Sequence, residues 1–200
     1  TLFPSAALLR PPNGSVFTAP ANITLSASSN DTDGSVTNVQ YFDGPTPLGS
    51  ATAVPYNLAT SLGLGGHPLT AVATDNLGAS STSAVVSVTV NAPNVAPSVS
   101  ITNPPDNATS GITTTVTIEA AANDTDGSVT NVQFFNGAVL LGSDSTSPYS
   151  FSGTAIAGKF ALGTNTVTAV ATDNLGASTT SGPVHVIIAR YLPAITNGDI

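Results

Sequence analysis

The sequence predicts an all-β protein made of two similar sandwich-like units in tandem. Three observations carry that reading. Apolar residues make up 40% of the 200-residue chain and charged residues only 7%, which excludes a coiled coil and leaves Ser and Thr to keep the surface wet. Fifteen Pro and 18 Gly, with no Met and one Lys, argue against helices, whose surfaces are normally filled by straight-chain residues. The undecapeptide NDTDGSVTNVQ occurs at Asn30–Gln40 and again, unchanged, at Asn123–Gln133. Such self-similarity at long period is the mark of a duplicated structural unit.

The duplication sets the domain plan. With a shift of 93 residues Pro4-Ser5 meets Pro97-Ser98, Pro11-Pro12 meets Pro104-Pro105, and Pro55-Tyr56 meets Pro148-Tyr149. TAVATDNLGAS at Thr70 returns at Thr168, so five extra residues lie between Tyr149 and Thr168, which predicts an insertion in a loop. The plan is then a first domain over 1–90, a Pro-containing joint over 91–96 (NAPNVA), a second domain over 97–188 and a tail over 189–200. In the tail, Pro193 followed by Ile195-Thr196-Asn197 echoes the opening of the second domain, as the start of a third unit or as a strand offered to another molecule would. With Thr1 first and no basic-then-apolar leader, the chain reads as a processed or excised soluble segment.

Within each unit the apolar period is two. Ile23, Leu25 and Ala27 alternate with polar residues, as Val116, Ile118 and Ala120 do in the second copy. Val86, Val88 and Val90 correspond to Val184, Val186 and Ile188 in a closing strand, with Ser87 and His185 turned outwards. Between them come Val36–Phe42, a Leu48-Gly49-Ser50 segment, a Pro-Tyr strand and Leu69–Thr74, each bounded by Gly, Pro, Asn or Asp. Counting the opening segment gives about seven strands, the number of an immunoglobulin-like sandwich.

The order Pro-Pro, apolar strand, N-D-T-D-G-S-V-x-x-V-x-F-F/Y, L-G-S, P-Y and A-V-A-T-D-N-x-G-A resembles the tandem bacterial Ig-like domains of secreted and cell-surface proteins, across nearly all of both units. The resemblance implies a prokaryotic, secreted or surface-exposed module of an adhesin, a fibre or a multidomain hydrolase. The Cys-Trp-Cys pattern of antibody domains is missing, so aliphatic packing has to hold each core.

Two motifs carry the polar signal. The turn after the second strand and the turn between the last two strands should share one end of a sandwich. That would bring Asp31 and Asp33 towards Asp75, and Asp124 and Asp126 towards Asp173. Like charges about 5 Å apart repel by roughly 3 kcal/mol at an effective dielectric near 20, so a cation or backbone N–H donors should sit there. Calcium fits an all-oxygen set, whereas zinc would want imidazole or thiolate. The other reading is turn chemistry alone: D-x-D-G and D-N-x-G form tight turns in which Asp accepts neighbouring amides. No cofactor is required on either reading. In the second copy the three aspartates should lie beside the 91–96 joint and the far end of the first domain, where an ion would stiffen the joint.

Composition narrows the partners. Three basic against 11 acidic residues, a net charge of −8, leave almost nothing to release counterions from phosphates, so neither nucleic acid nor membrane insertion is expected. With no cysteine there are no disulfides or thiolates. His67 and His185 have no counterparts in the other repeat and no nucleophile or carboxylate at a recognisable spacing, so both read as solvated surface residues and an enzyme is not expected. Glu119 is the only glutamate, a poor basis for glycosidase chemistry. There is no Trp to stack on sugars; Tyr56, Tyr149 and Tyr41, the last replaced by Phe134, read as packing, leaving glycan binding the weaker alternative. The expectation is a non-enzymatic building block of a stalk, adhesin or fibre that contacts itself or neighbouring Ig-like domains through its ends and strand edges. The runner-up is a spacer or glycan-binding accessory module of a secreted hydrolase.

Overall fold

The computed structural model describes residues 2–155 and 157–190, and among these every regular element is a strand. The predicted tail lies, from residue 191 on, outside the described residues. The chain divides into two compact units at Pro93–Asn94.

The first unit has nine strands: β1 (Ala7–Arg10), β2 (Ser15–Thr18), β3 (Ala21–Ser28), β4 (Val36–Asp43), β5 (Thr46–Ala51), β6 (Tyr56–Leu62), β7 (Gly65–Asp75), β8 (Ser80–Thr82) and β9 (Val86–Asn91). One sheet runs β1-β3-β6 and the other β2-β9-β7-β4-β5, with β8 paired to the end of β7. The count exceeds seven for two reasons. The opening segment is split at Pro11-Pro12, because residues without an N–H cannot continue a ladder; β1 pairs antiparallel with β3, and β2 crosses to pair parallel with β9. The short β8 is the other addition. Where it ends, Ser83 takes over the pairing: its N–H donates to Ala71 O and its Oγ accepts from Ala71 N.

The alternating residues close this sandwich. Leu25, Val39, Tyr41, Leu69, Ala71 and Ala73 are fully buried, with Val88 and Val90 of β9 against them. Tyr56 is buried as well, and the Tyr41 hydroxyl, whose pKa burial raises, donates to the Tyr56 carbonyl. The hydroxyl thus has a task inside the core in addition to the ring's packing.

The second unit repeats the plan with β10 (Ser98–Asn103), β11 (Ala108–Gly111), β12 (Val116–Asn123), β13 (Val129–Asn136), β14 (Val139–Asp144), β15 (Tyr149–Gly153), β16 (Gly163–Asp173), β17 (Ser178–Thr180) and β18 (Val184–Ala189). Its sheets run β10-β12-β15 and β11-β18-β16-β13-β14, with β17 on β16. Ile118, Val132, Phe134, Val167, Ala169 and Ala171 form the buried layer. The five-residue insertion falls between β15 and β16, and Phe160 from that loop packs into the core.

Candidate functional site

At one end of each sandwich two turns meet. In the first unit, Asn76 follows β7 and reaches the DTDGS turn after β3: its N–H donates to Ser35 O at 2.9 Å and its Oδ1 accepts from Ser35 N at 2.9 Å. Asn174 and Ser128 make the same reciprocal pair in the second unit, at 3.0 and 2.8 Å. The turn must come very close for this. A Cβ on Gly34 would lie 2.3 Å from Asn76 Oδ1 and 2.7 Å from Asp31 Oδ2, and one on Gly127 would meet Asn174 and Asp124 equally closely, so a larger residue there would push the asparagine off its serine. Sequence reasoning passed over these asparagines; the repeated D-N-x-G was the signal, read there as belonging to its own turn.

Asp75 and Asp173 end their long strands and are 3% exposed. Each uses Oδ1 to hold its own turn: Asp75 accepts from Leu77 N and Ala79 N, both at 2.8 Å, and Asp173 from Leu175 N and Ala177 N at 2.8 and 2.9 Å. The other oxygens differ. Asp173 Oδ2 accepts from the Asn94 side-chain amide at 2.7 Å, whereas Asp75 Oδ2 is buried without a hydrogen-bond partner. Burial pushes the Asp173 carboxyl up, but the Asn94 amide and the turn N–H groups outweigh it and hold it below the usual range.

The D-x-D aspartates are placed on the chain segment entering each unit. Asp33 accepts from Leu2 N at 3.0 Å, which holds its carboxyl below the usual range, and Asp31 is near enough to hydrogen-bond it. Asp126 accepts from Val95 N at 3.1 Å, and Asp124 Oδ1 is 3.4 Å from Asp126 N. Asp31 Oδ1 and Asp124 Oδ2 are buried with no partner. Asn94 and Val95, both in the 91–96 segment, therefore lie against Asp173 and Asp126. Among the described residues no group of three or more His, Asp or Glu side chains is arranged to hold a metal ion on those ligands alone.

The two histidines correct the sequence reading, because each is oriented by a carboxylate. His67 on β7 has Nδ1 2.6 Å from Asp43 Oδ2 and Nε2 3.0 Å from Gly63 O, and only 11% of its side chain is exposed. Both ring nitrogens face acceptors, which suits the doubly protonated ring, and the Asp43 hydrogen bond raises its pKa. His185 on β18 meets Asp106 at 2.8 Å through Nδ1 and also donates its backbone N–H to that carboxylate, holding the Asp106 carboxyl below the usual range. The partners were missed because Asp43 is 24 residues from His67 and Asp106 is 79 from His185; only the sheet register brings them together.

Two uncrosslinked sandwiches, each with sheets of three and six strands and a clasped turn pair at one end, define tandem immunoglobulin-like modules. The profile of the bacterial Ig domain matches residues 4–95 and again 97–169, and the chain belongs to that family. Among solved structures it is similar to the fibronectin(III)-like modules of Clostridium thermocellum CbhA, at 27% identity over 96% of this chain and 100% of that one, with a TM-score of 0.47. It is also similar to titin domains Z1Z2, solved with telethonin, at 14% identity over 94% and 98% of the two chains with a TM-score of 0.43. A Bacteroides ovatus protein, SGBP-B, solved with a mixed-linkage heptasaccharide, matches at 17% identity over 91% of this chain and 47% of that one, with a TM-score of 0.35. A search of curated proteins returned no match.

Proposed function

We propose that this chain is a non-enzymatic building block of an extracellular bacterial stalk, adhesin or fibre, engaging neighbouring Ig-like domains or further copies of itself through its ends and strand edges. Domains of this family are typically structural or accessory modules and are common in extracellular and surface proteins, which supports the class. The observation that carries the finer reading is the placement of exposed apolar side chains. Leu2, Phe3 and Leu77 lie at the clasped end of the first unit, Val95 and Leu175 at that of the second, and Leu64 and Leu162 in the loops that lead into β7 and β16. The sheets of each unit are open, ending on β1, β2, β5 and β6 in the first and on β10, β11, β14 and β15 in the second, so backbone N–H and C=O groups remain for an added strand.

An end that meets a different surface on the next copy makes a heterologous contact, which extends into a filament when the rotation does not close. Light scattering across a concentration series tests the reading. The expected result is an average mass that rises with concentration and falls back when Leu77 and Leu175 are replaced by Ser. A chain that stays monomeric at concentrations on the order of 1 mM, weaker than any useful contact, while retaining a polysaccharide on affinity gels, would point to the accessory-module reading.

A further inference from the structure

We infer that a groove on the first unit receives the 191–200 segment of a second copy as an added strand, with Asp199 on Arg10 and Asn197 on the Thr24 carbonyl. This contact presupposes the self-association proposed for the chain and gives it a groove and an occupant. The groove follows from the split opening strand. β1 runs beside Ser26–Ser28 only as far as Arg10, and past Pro11-Pro12 the chain joins the other sheet as β2. β3 extends back to Ala21 and is paired there with β6 alone. Its other edge, at Asn22–Thr24, is therefore open and floors a groove of about 410 Å³ that Arg10, Val16 and Phe17 flank.

The second unit shows what such an edge accepts. There Asn103, at the end of β10, donates its side-chain amide to Thr117 O at 2.9 Å. A shift of 93 residues carries Asn103 onto Arg10 and Thr117 onto Thr24, and Thr117 faces Ser152 across its ladder as Thr24 faces Ala59. The Thr24 carbonyl thus points to the groove, and among the described residues no hydrogen bond from Arg10 takes the place of the asparagine's. The walls change as well: Val16, 63% exposed, and Phe17 stand where the second unit has Thr109 and Ser110. Arg10 is the only basic residue of the first unit. The groove suits an extended, partly apolar chain that carries an acid.

The protein holds such a segment itself. Residues 191–200, YLPAITNGDI, repeat in Ile195-Thr196-Asn197 the tripeptide Ile101-Thr102-Asn103 that serves the edge in the second unit. Asp199 follows two residues on, about 7 Å along an extended chain and on the same side as Asn197. Leu192 and Ile195 supply apolar side chains for Val16 and Phe17. One copy's 191–200 segment in the next copy's first unit is a heterologous contact, the kind that propagates.

The test uses an acetylated 191–200 peptide and the whole chain. The peptide should shift the NMR amides of 10–17 and 22–24 and leave those of 103–110 and 115–117 unmoved. In the chain, Arg10→Glu and Asp199→Lys should each raise the concentration of half-association about tenfold by light scattering, because each turns attraction into repulsion. Both substitutions in one chain should restore it. Arg10 is exposed, so its variant keeps the fold, which the β3 amide pattern checks. No saturable peptide shift up to about 1 mM, or association that ignores both reversals, would overturn the assignment. Association that instead falls only with the Leu77 and Leu175 variants would overturn it too, while leaving self-contact standing through another surface. Peptide binding in the groove by a chain that stays monomeric would put the segment in its own molecule's groove and overturn the second copy as donor.

Discussion

The two units are the same sandwich closed by different side chains. At the loop end of the long strand, the first unit uses a charged pair, His67 with Asp43, where the second has Asn165 with Asn136 at 2.9 Å. At the start of the closing strand the exchange runs the other way. Asn13 Oδ1 accepts from Ser87 N in the first unit, and Asp106 accepts from the backbone and ring of His185 in the second. In the core Tyr41 is replaced by Phe134. Backbone topology decides where a clasp is needed, and the side chains that provide it are interchangeable across neutral and charged chemistry.

The common layer offers the largest test of this equivalence. Leu25 and Ile118 occupy the same position in the two copies and are both 0% exposed. Leu25→Ala and Ile118→Ala should each cost about 2–5 kcal/mol of the stability of their own unit, measured by denaturant unfolding; a near-silent variant in one copy would break the correspondence. Next in size is the inserted loop. Asn165 is 4% exposed, accepts from Ala161 N and Asn136 Nδ2, and donates to Ala161 O and Gly163 O. Asn165→Ala should cost about 2–4 kcal/mol, because it strands several buried groups at once, against about 1–2 kcal/mol for His67→Ala at the equivalent place.

Tyr41→Phe should cost about 1 kcal/mol by leaving the Tyr56 carbonyl without its donor. The second unit already lives with phenylalanine there, so a loss above about 3 kcal/mol would show that the hydroxyl does more than pair. The smallest effect is that of pH. The His67 pKa is raised in the folded state, so its contribution is fully present below the unfolded value of about 6.5 and fades as pH rises through the folded value. Urea midpoints for the first unit should therefore fall between pH 6 and pH 8, and no comparable fall should come from the neutral Asn165–Asn136 pair.

The sandwich plan was legible because period-two apolar patterning survives in both copies and the repeat marks its own boundaries. Ile23, Leu25 and Ala27 are buried where the alternation put them. The split opening strand was marked by Pro11-Pro12 but not interpreted, since a proline pair says that a ladder stops and not that the chain crosses to the other sheet. The corner was half legible: D-T-D-G-S and D-N-x-G identify turns, but the hand-off between Asn76 and Ser35 depends on two strands ending at the same height. The histidine pairs were illegible, because nothing near His67 in the sequence announces Asp43.

Exchanging the pair itself puts the claim to its most direct test. A chain carrying Asp43→Asn and His67→Asn gives the first unit the second unit's neutral chemistry, and hydrogen exchange at the amides of β4 and β7 reports the result. The account predicts a folded unit with protection within about tenfold of the original at pH 6 and no loss of protection between pH 6 and pH 8. An unfolded first unit, or a pH dependence that persists unchanged in the double variant, would contradict it.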